Sequence, residues 1–306
     1  MLAPRAILAA ALACLLVPHL AAADSAGTIV FAGWNVRNYM LRPVKDDTGR
    51  ITTPAKTAES IAAVVETLRE MRPDILGLCE MGTRGDLADL QIRLKKAGLD
   101  LPHRTWVDGP DKERHLALLS RFPLKTQHDT RTTFRLGESS HRVRRGILDA
   151  TVQVLPDLSL RVLGVHLKSR RVVPEFDQAS FRRTESLLLR ARIEGILAEA
   201  SDAPLLVFGD FNDTKNSPVI EGVAGRAGTR KALTVLPLAD RLGDQWTYRW
   251  DESDEYSRID YVMVNQPLRR LVRRGGTRVH RDKNWFEASD HRPLVVTIAL
   301  PKPPRP

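Results

Sequence analysis

Short apolar stretches rich in β-branched residues recur along the chain and predict buried strands. Each stretch has four to six residues, a usual length for a strand and too short for a helix. The stretches are Thr28–Ala32, Ile75–Leu78, Leu160–Val165, Leu205–Phe208, Ile259–Val264 and Pro293–Ile298. This spacing predicts a protein built around β-sheet, with room for helices between the strands.

Three segments between these strands carry helical signals. Proline suits the first turn of a helix, and glycine commonly follows the last turn. The predicted helices run from Thr53 and Pro54 until Pro73, from Asp86 to Ala97 before Gly98, and onward from about Gln178. Their apolar stripes are Ile61, Val65 and Leu68 in the first helix, and Leu189, Ile193, Ile196, Leu197 and Ala200 in the third. Strands therefore alternate with amphipathic helices.

The segment around Pro156 and Asp157 predicts a β-hairpin. It separates Thr151–Leu155 from Leu158–Val165, two stretches with strand composition. Strands that alternate with helices but are also joined by hairpins are typical of mixed sheets. The sequence therefore predicts an α/β, or α+β, layer protein. Because its 306 residues show no internal repeat or low-complexity block, we expect one large domain over residues 24–300.

Polar residues follow several of these strands at the point where each strand ends. The string Gly209-Asp-Phe-Asn-Asp213 brings Asp210 and Asn212 to one strand end. Oxygen ligands at such an edge suit Mg²⁺ or Mn²⁺ and a phosphate ester, although a plain turn explains this string alone equally well. Matching residues occur in five further places, namely Trp34-Asn35, Cys79-Glu80, Gly164-Val-His166, Asp260 and Ser289-Asp290-His291. Their recurrence favours a shared site over a set of unrelated turns.

This set of motifs, in this order, resembles the endonuclease/exonuclease/phosphatase superfamily of deoxyribonuclease I-like enzymes. The string Leu118-Leu-Ser-Arg-Phe-Pro123, between the second and third motifs, agrees with that order. The resemblance implies a four-layer sandwich, in which two mixed β-sheets pack face to face and helices flank both. It also implies that the chain is an enzyme that hydrolyses phosphoesters with the help of a metal ion.

Three residues are candidate ligands for the metal ion. Glu80 ends a buried strand, where a carboxylate needs a charged partner to offset its lost hydration. Asn35 is expected either to supply a neutral oxygen ligand or to hold Glu80, and Asp290 is a further carboxylate on the metal side. This oxygen-rich set predicts Mg²⁺, with Mn²⁺ or Ca²⁺ as alternatives, bound as one ion or two. Zinc is not expected, because the remaining histidines show no metal-ligand spacing.

The resemblance also implies catalytic roles for five residues. Asp210 is expected to deprotonate the attacking water, and Asn212 to bind the phosphate in its transition state. His291 is expected to be held by Asp260, since an imidazole beside a buried carboxylate keeps one tautomer and a raised pKa. His166 matches the histidine that faces the scissile phosphate in nuclease members, although an isolated strand histidine is usually a packed core residue. The residues alone leave open whether His166 or His291 protonates the leaving oxygen.

The net charge of +10 predicts a polyanionic partner or an anionic membrane surface. Arg144, or its neighbour Arg145, lies at the position where family nucleases have a phosphate-binding arginine. Together with Lys168 and Arg170 it predicts contacts with a nucleic acid backbone. For any single basic run, a solvated surface is an equally good explanation.

The substrate class stays open at this point. A nuclease acting on DNA or RNA is favoured by the basic residues. The alternative is a sphingomyelinase-like phospholipase or a sugar or inositol phosphate phosphatase, for which the aromatic pair Trp285-Phe286 suits a membrane-facing site. A binding protein without catalysis is disfavoured, because every expected catalytic position carries its usual residue. We expect a monomer with no stable protein partner.

The first 23 residues predict a secretory signal peptide. A positive charge precedes an apolar run at Ala6–Val17, and the small residues Ala21–Ala23 form a cleavage site before Asp24. The mature enzyme is therefore expected to be secreted or periplasmic. After cleavage Cys79 is the remaining cysteine, which excludes an internal disulfide, and we expect a packed and inert thiol.

Two further segments lie outside the motifs. Residues 37–53 form a long link with a turn at Asp46–Gly49, and either Tyr39 or Arg42 is a candidate to line a substrate groove. A plain surface excursion explains this link equally well. The proline-rich tail, residues 301–306, is expected to be disordered.

Overall fold

The computed structural model describes residues 27–281, 283 and 285–301. The predicted signal peptide, residues 1–23, lies outside the described residues, as does the tail after residue 301. Within the described part of the chain, no helix has the length and apolar character that crossing a membrane requires.

The first sheet has six strands, and one of its inner strands, β1, contains the first motif, Trp34-Asn35. Strand β1 pairs with β4 in parallel and with β18 antiparallel, so the sheet is mixed as predicted. In spatial order its strands are β17 (Val272–Val279), β18 (Leu294–Ala299), β1 (Thr28–Tyr39), β4 (Ile75–Met81), β6 (His115–Ser120) and β5 (His103–Trp106). The expected strands at residues 28, 75 and 293 all belong to this sheet.

The second sheet also has six strands and is also mixed. In spatial order they are β13 (Leu233–Val235), β16 (Asp260–Asn265), β12 (Leu205–Asp210), β11 (Leu158–His166), β10 (Leu148–Leu155) and β7 (Leu124–Thr126). Strands β11 and β12 are parallel, whereas β10 and β11 form the predicted hairpin around Pro156 and Asp157. The described residues also form three two-stranded ribbons, namely β2 (Val44–Lys45) with β3 (Ile51–Thr53), β8 (Thr133–Leu136) with β9 (Ser139–Arg142), and β14 (Tyr248–Trp250) with β15 (Glu255–Ser257).

Helices cover the outer faces of both sheets, so the predicted four-layer sandwich is confirmed. The helices are α1 (Ala58–Met71), α2 (Arg84–Lys96), α3 (Gln178–Glu199), α4 (Pro218–Ala224), α5 (Gln266–Arg269) and α6 (Trp285–Ala288). Apolar residues of α1 and α2 share one buried cluster with the first sheet, and those of α3 and α4 share another with the second sheet. A third cluster fills the space between the two sheets.

The helix boundaries follow side-chain caps that the sequence prediction partly missed. The predicted start at Thr53 and Pro54 is wrong, because Thr53 belongs to β3 and the first helix is capped by Thr57, whose hydroxyl accepts from the Ser60 amide. The second helix starts at Arg84 behind a capping box made by Thr83 and Asp86. The predicted start of the third helix at Gln178 is confirmed.

The long link after the first motif is partly ordered β-structure. Strand β1 continues to Tyr39, and the β2–β3 ribbon follows with the predicted turn, in which the Gly49 amide donates to the Asp46 carbonyl at 2.9 Å. The expectation that Tyr39 lines a groove is wrong, because its ring is fully buried among the core residues under α1 and α2. Arg42 is exposed.

Phe208 sets how closely the two sheets approach each other. Its ring lies against Gly77 of the facing sheet and against Gly164 of the neighbouring strand in its own sheet, where a Cβ would stand 2.2 Å and 2.7 Å from the ring, respectively. Phe31 meets the same ring edge to face, with centroids 5.3 Å apart. Nearby, the buried Cys79 thiol donates to the Val165 carbonyl at 3.4 Å, and burial raises its pKa, so the expected packed thiol is confirmed.

Gly77→Ala is expected to destabilise the fold, because the new methyl group overlaps the Phe208 ring across the sheet interface. Overpacking of this kind costs roughly 1 to 3 kcal/mol in the free energy of unfolding. Gly195→Ala is the matched control, since Gly195 is helical and exposed with open space at its Cβ, and alanine there should stabilise by about 0.5 to 1 kcal/mol. Urea unfolding of both variants measures whether the free energy of unfolding falls in Gly77→Ala and rises in Gly195→Ala. Changes of the same sign in both variants would contradict the prediction.

Candidate active site

The predicted motif residues meet at one edge of the sandwich. Across the second sheet, His166, Asp210 and Asp260 are direct neighbours in the registers of β11, β12 and β16. In the first sheet, Asn35 lies beside Cys79, the residue before Glu80, in the parallel pair β1 and β4. Because the two sheets pack face to face, these strand ends face each other across the interface.

Asn35 connects the two sheets at this edge. Its side-chain amide nitrogen is 3.3 Å from Glu80 Oε1 of the first sheet and 3.1 Å from Asp210 Oδ2 of the second. His166 Nε2 lies near the same two carboxylates, 3.5 Å from Asp210 Oδ2 and 3.9 Å from Glu80 Oε1. The structure therefore brings Asn35 and Glu80 together, as both expected roles of Asn35 require.

His291 and Asp260 form the predicted acid and imidazole pair. His291 Nδ1 is 2.8 Å from Asp260 Oδ2, and its Nε2 is 3.8 Å from Asp210 Oδ2. The backbone of His291 is fixed on both sides, since its amide donates to Ser289 Oγ and its carbonyl accepts from the Trp34 indole at 2.9 Å. The imidazole therefore has one orientation, with Nε2 turned towards Asp210.

The two histidines beside Asp210 have opposite protonation preferences. Burial alone would lower the pKa of His291, but the adjacent Asp260 carboxylate, with Asp210 and Asp290, raises it to about 10. Burial lowers the pKa of His166 well below 6.5, and the positive charges of Arg145 and His291 lower it further. Near neutral pH, His291 is thus a cation and His166 a neutral imidazole.

Asp210 lies between these histidines as a buried carboxyl group. Burial and the negative charge of Asp260 raise the pKa of Asp210 above its usual range, while His291 opposes this rise. Asp210 Oδ1 accepts the Asn212 amide at 2.9 Å, and Asn212 itself has a left-handed backbone with φ of 51°. A carboxyl group with a raised pKa is a stronger base than an exposed aspartate, which suits proton abstraction from water.

The loop after Asp210 is braced by arginines. Asp213 accepts from Arg170 at 3.0 Å and from Arg182 at 3.0 Å, and Arg170 also donates to the Asn212 carbonyl at 3.1 Å. Sequence reasoning missed Arg182, which lies on the buried face of α3. Charged residues at helical spacing on that face, Arg182 and Glu185, were the available signal.

The predicted phosphate-binding residues lie in different environments. Arg144 is exposed, whereas Arg145 is buried with its Nε 3.0 Å from Asp111 Oδ2. Lys168 is buried, and its ammonium donates to Ser169 and to the Arg171 carbonyl. Burial, helped by the nearby charges of Arg145 and Arg144, lowers the pKa of Lys168 to about 8.

Asp290 lies at the rim of the site. Its Oδ2 is 3.6 Å from the Arg37 guanidinium, and its Oδ1 accepts from Ser289 at 3.4 Å. Tyr248, which sequence reasoning also missed, packs its ring against the His291 ring with centroids 4.7 Å apart. The β14–β15 ribbon therefore forms a wall next to the histidine.

The oxygen-rich side of this site fits a hard divalent cation. Asp210, Asp260 and His291 have ligand atoms within 4.8 Å of one another and could hold an ion, although all three are buried and His291 Nδ1 is already 2.8 Å from Asp260 Oδ2. Glu80 instead has a partly exposed carboxylate, with a side-chain exposure of 17%. We therefore regard Glu80 as the better centre for an ion, with Asn35 as its support.

Comparison with known proteins agrees with this architecture. The model of the Endonuclease/Exonuclease/phosphatase family matches residues 32–291. The chain belongs to this family. Members are metal-dependent phosphoester hydrolases, and this chain is such an enzyme. Among curated proteins, no significant match to the chain is found.

Solved structures of the family share the fold at low identity. The human Nocturnin catalytic domain with a bound sulfate anion is 19% identical, with a TM-score of 0.61 over 88% of this chain and 93% of that one. Truncated TDP2 from Caenorhabditis elegans is 18% identical, with a TM-score of 0.57 over 89% and 97%. A family member from Bacteroides vulgatus is 14% identical, with a TM-score of 0.59 over 90% and 99%. These likenesses support the fold of the family member described here.

Asp260→Asn is expected to lower the pKa of His291 in the metal-free enzyme from its raised value of about 10, because the lowering effect of burial is then opposed only by the charges of Asp210 and Asp290. Because the pKa of His291 is higher in the folded than in the unfolded protein, its pairing with Asp260 stabilises the fold. This stabilisation is fully present below pH 6.5 and is lost as the pH rises through about 10. NMR titration of the imidazole signals measures the shift. The buried His115, which contacts the Val107 carbonyl, is the internal control. An unchanged His291 pKa would contradict the pairing.

Proposed function

We propose that this enzyme is a Mg²⁺-dependent phosphodiesterase that cleaves DNA or RNA, with Mn²⁺ or Ca²⁺ as alternative ions. The observation that carries the chemistry is the placement of a buried Asp210 between a neutral His166 and a cationic His291, at 3.5 Å and 3.8 Å. This arrangement places a base, Asp210, next to a positively charged proton donor, His291.

The chain's own residues supply the proton transfers. Asp210 Oδ2, held by the Asn35 amide, accepts the proton of the attacking water. His291 Nε2 donates its proton to the leaving oxygen, which gains negative charge as its bond to phosphorus breaks. Asp260 keeps the imidazole charged through Nδ1. His166 holds a further phosphoryl oxygen as a neutral imidazole, and Asn212 is proposed to bind the phosphate. A metal ion held by Glu80, with Asp290 on the same side, would neutralise charge on the phosphate.

Electrostatics supports a nucleic acid as the substrate. The whole chain has a net charge of +10, the charges of Arg145 and Lys168 act on His166, and the charge of Arg144 acts on Lys168. Cations that extend beyond the position of the reacting phosphate favour a polymer with regularly spaced phosphates over a single phosphomonoester. The sulfate bound to the Nocturnin catalytic domain is an oxyanion of phosphate size on the same fold.

The aromatic pair at 285 and 286 gives little support to a lipid substrate. Trp285 packs against Trp246 at 5.1 Å, and Arg249 lies 5.0 Å over the Phe286 ring, so both rings are engaged and half-buried. A phospholipase or a sugar or inositol phosphatase therefore stays an outcome of the substrate test. The secreted or periplasmic location is part of the proposal and rests on residues 1–23.

Glu80→Gln is expected to abolish turnover and to leave the fold intact, because it removes the carboxylate proposed for the metal. Asp210→Asn should lower kcat by about 10³-fold, the usual loss for a catalytic base in such a site. His291→Ala combined with Asp210→Asn should cost less than the product of the single losses, since both groups serve one transition state. Steady-state hydrolysis with Mg²⁺, and with EDTA as the control, measures these effects. Full activity in excess EDTA would refute the metal dependence.

Binding of DNA and RNA by inactive Glu80→Gln protein tests the substrate. Affinity should fall steeply with salt, with a log-log slope of roughly −0.9 for each phosphate bound on duplex DNA. Arg144→Gln in this background should flatten the slope by about one unit. Arg69→Gln is the control and should not, because Arg69 is exposed on α1 and pairs with Glu66. If binding at low salt is no tighter than to a neutral polymer, the nuclease proposal fails, and sphingomyelin and inositol phosphates become the substrates to assay.

A further inference from the structure

Strand β1 contains an unusual kink directly after Asn35. Arg37 and Asn38 are consecutive residues with left-handed backbone, at φ of 46° and 50°. A non-glycine residue in this conformation costs of the order of 1 kcal/mol or more, and it persists only where surrounding contacts hold it. Two such residues in succession therefore need specific partners.

The amide side of the kink faces the proposed metal site. The Arg37 amide donates to Asn35 Oδ1 at 3.1 Å, and the Asn38 amide donates to Glu80 Oε2 at 3.0 Å. The same Asn35 donates through its amide nitrogen to Glu80 Oε1 at 3.3 Å. The kink thus fixes both the carboxamide and the carboxylate.

The carbonyl side of the kink is held by one lysine. Lys56 Nζ donates to the Val36 carbonyl at 3.0 Å and to the Arg37 carbonyl at 3.1 Å. These carbonyls belong to the two peptide groups whose amides contact Asn35 and Glu80. A charged donor on a carbonyl polarises its peptide group and strengthens the hydrogen bond from the opposite amide.

The path of the chain explains how Lys56 reaches this position. The β2–β3 ribbon leads away from β1 and back, and the Lys56 amide then donates to the Met40 carbonyl at 2.8 Å. The segment at residues 40–56 therefore affects the site, because it returns to β1 and places the Lys56 ammonium group against the carbonyls of the kink.

We propose that Lys56 is a positioning residue that holds Asn35 and Glu80 in the geometry that binds the divalent cation. The inference rests on the proposed role of Glu80 at the metal, and it extends that role to a residue outside the motifs. Residues that orient metal ligands in this way typically change metal affinity about 10- to 100-fold when they are replaced.

A purely electrostatic role for Lys56 predicts the opposite effect. Its ammonium group is close enough to Glu80 and Asp290 for their charges to act on it. If its charge were all that mattered, it would repel a cation, and its removal would tighten metal binding. The sign of the change therefore separates positioning from charge.

Mn²⁺ binding without substrate, followed by the EPR signal of free Mn²⁺, tests the inference. Lys56→Met should raise the Kd by about 10-fold or more, and Lys56→Arg, which keeps the charge and the donors, should recover much of the affinity. Arg190→Met is the matched control, because Arg190 also donates to backbone carbonyls, those of Val223, Ala224 and Lys231, but lies in α3. It should lower the Tm and leave the Kd for Mn²⁺ unchanged.

An unchanged or lower Kd in folded Lys56→Met would overturn the inference. Should Lys56→Met fail to fold, Lys56→Gln is measured instead, and the same rise in Kd is expected from it. A rise that Arg190→Met reproduces would also overturn the inference, since it would reflect general destabilisation. Normal Mn²⁺ binding by wild-type protein that cleaves no nucleic acid would reject the proposed substrate and leave the role of Lys56 standing.

Discussion

The site depends on one side-chain amide that bonds carboxylates from both sheets. Asn35 lies 3.3 Å from Glu80 of the first sheet and 3.1 Å from Asp210 of the second. Two carboxylates that share one donor lie close to each other, and their negative charges repel unless donors lie between them. The distance between the sheets must therefore stay fixed, and Phe208, which packs against Gly33 and Gly77 of the facing sheet, fixes it within the core. Packing and catalysis thus share one geometric requirement.

Environment, and not residue type, separates the roles of the two histidines. Both rings are buried beside Asp210, yet His291 has Asp260 at 2.8 Å and is charged, whereas burial and the positive charges of Arg145 and His291 keep His166 neutral. Groups whose surroundings push their pKa values apart can act as acid and base at one pH. This favours His291 as the proton donor, a choice that the sequence left open between the two histidines.

Strand ends were predictable from the sequence, whereas contacts made by connecting segments were not. An apolar run followed by a polar residue marks a strand end, and this signal alone points to Asn35, Glu80, His166 and Asp210. The start of α1 was missed, because Pro54 gives a stronger local signal than the cap at Thr57. The contact of Lys56 with two carbonyls depends on the path of a 17-residue excursion, residues 40–56, which no local pattern encodes. Arg144 and Arg145 are adjacent in sequence, and only the fold distinguishes the exposed from the buried one.

Backbone strain is concentrated at this site. Of the seven non-glycine residues with positive φ in the described part of the chain, four lie in it, namely Arg37, Asn38, Glu80 and Asn212. Each such residue costs free energy that the three apolar clusters between the layers must offset. In each case a hydrogen bond to a site carboxylate or carboxamide accompanies the strain, so relaxing the backbone would also release a functional group. The rigid sandwich and the strained edge are therefore mutually dependent, because a softer core would let these residues return to ordinary backbone conformations and separate the carboxylates.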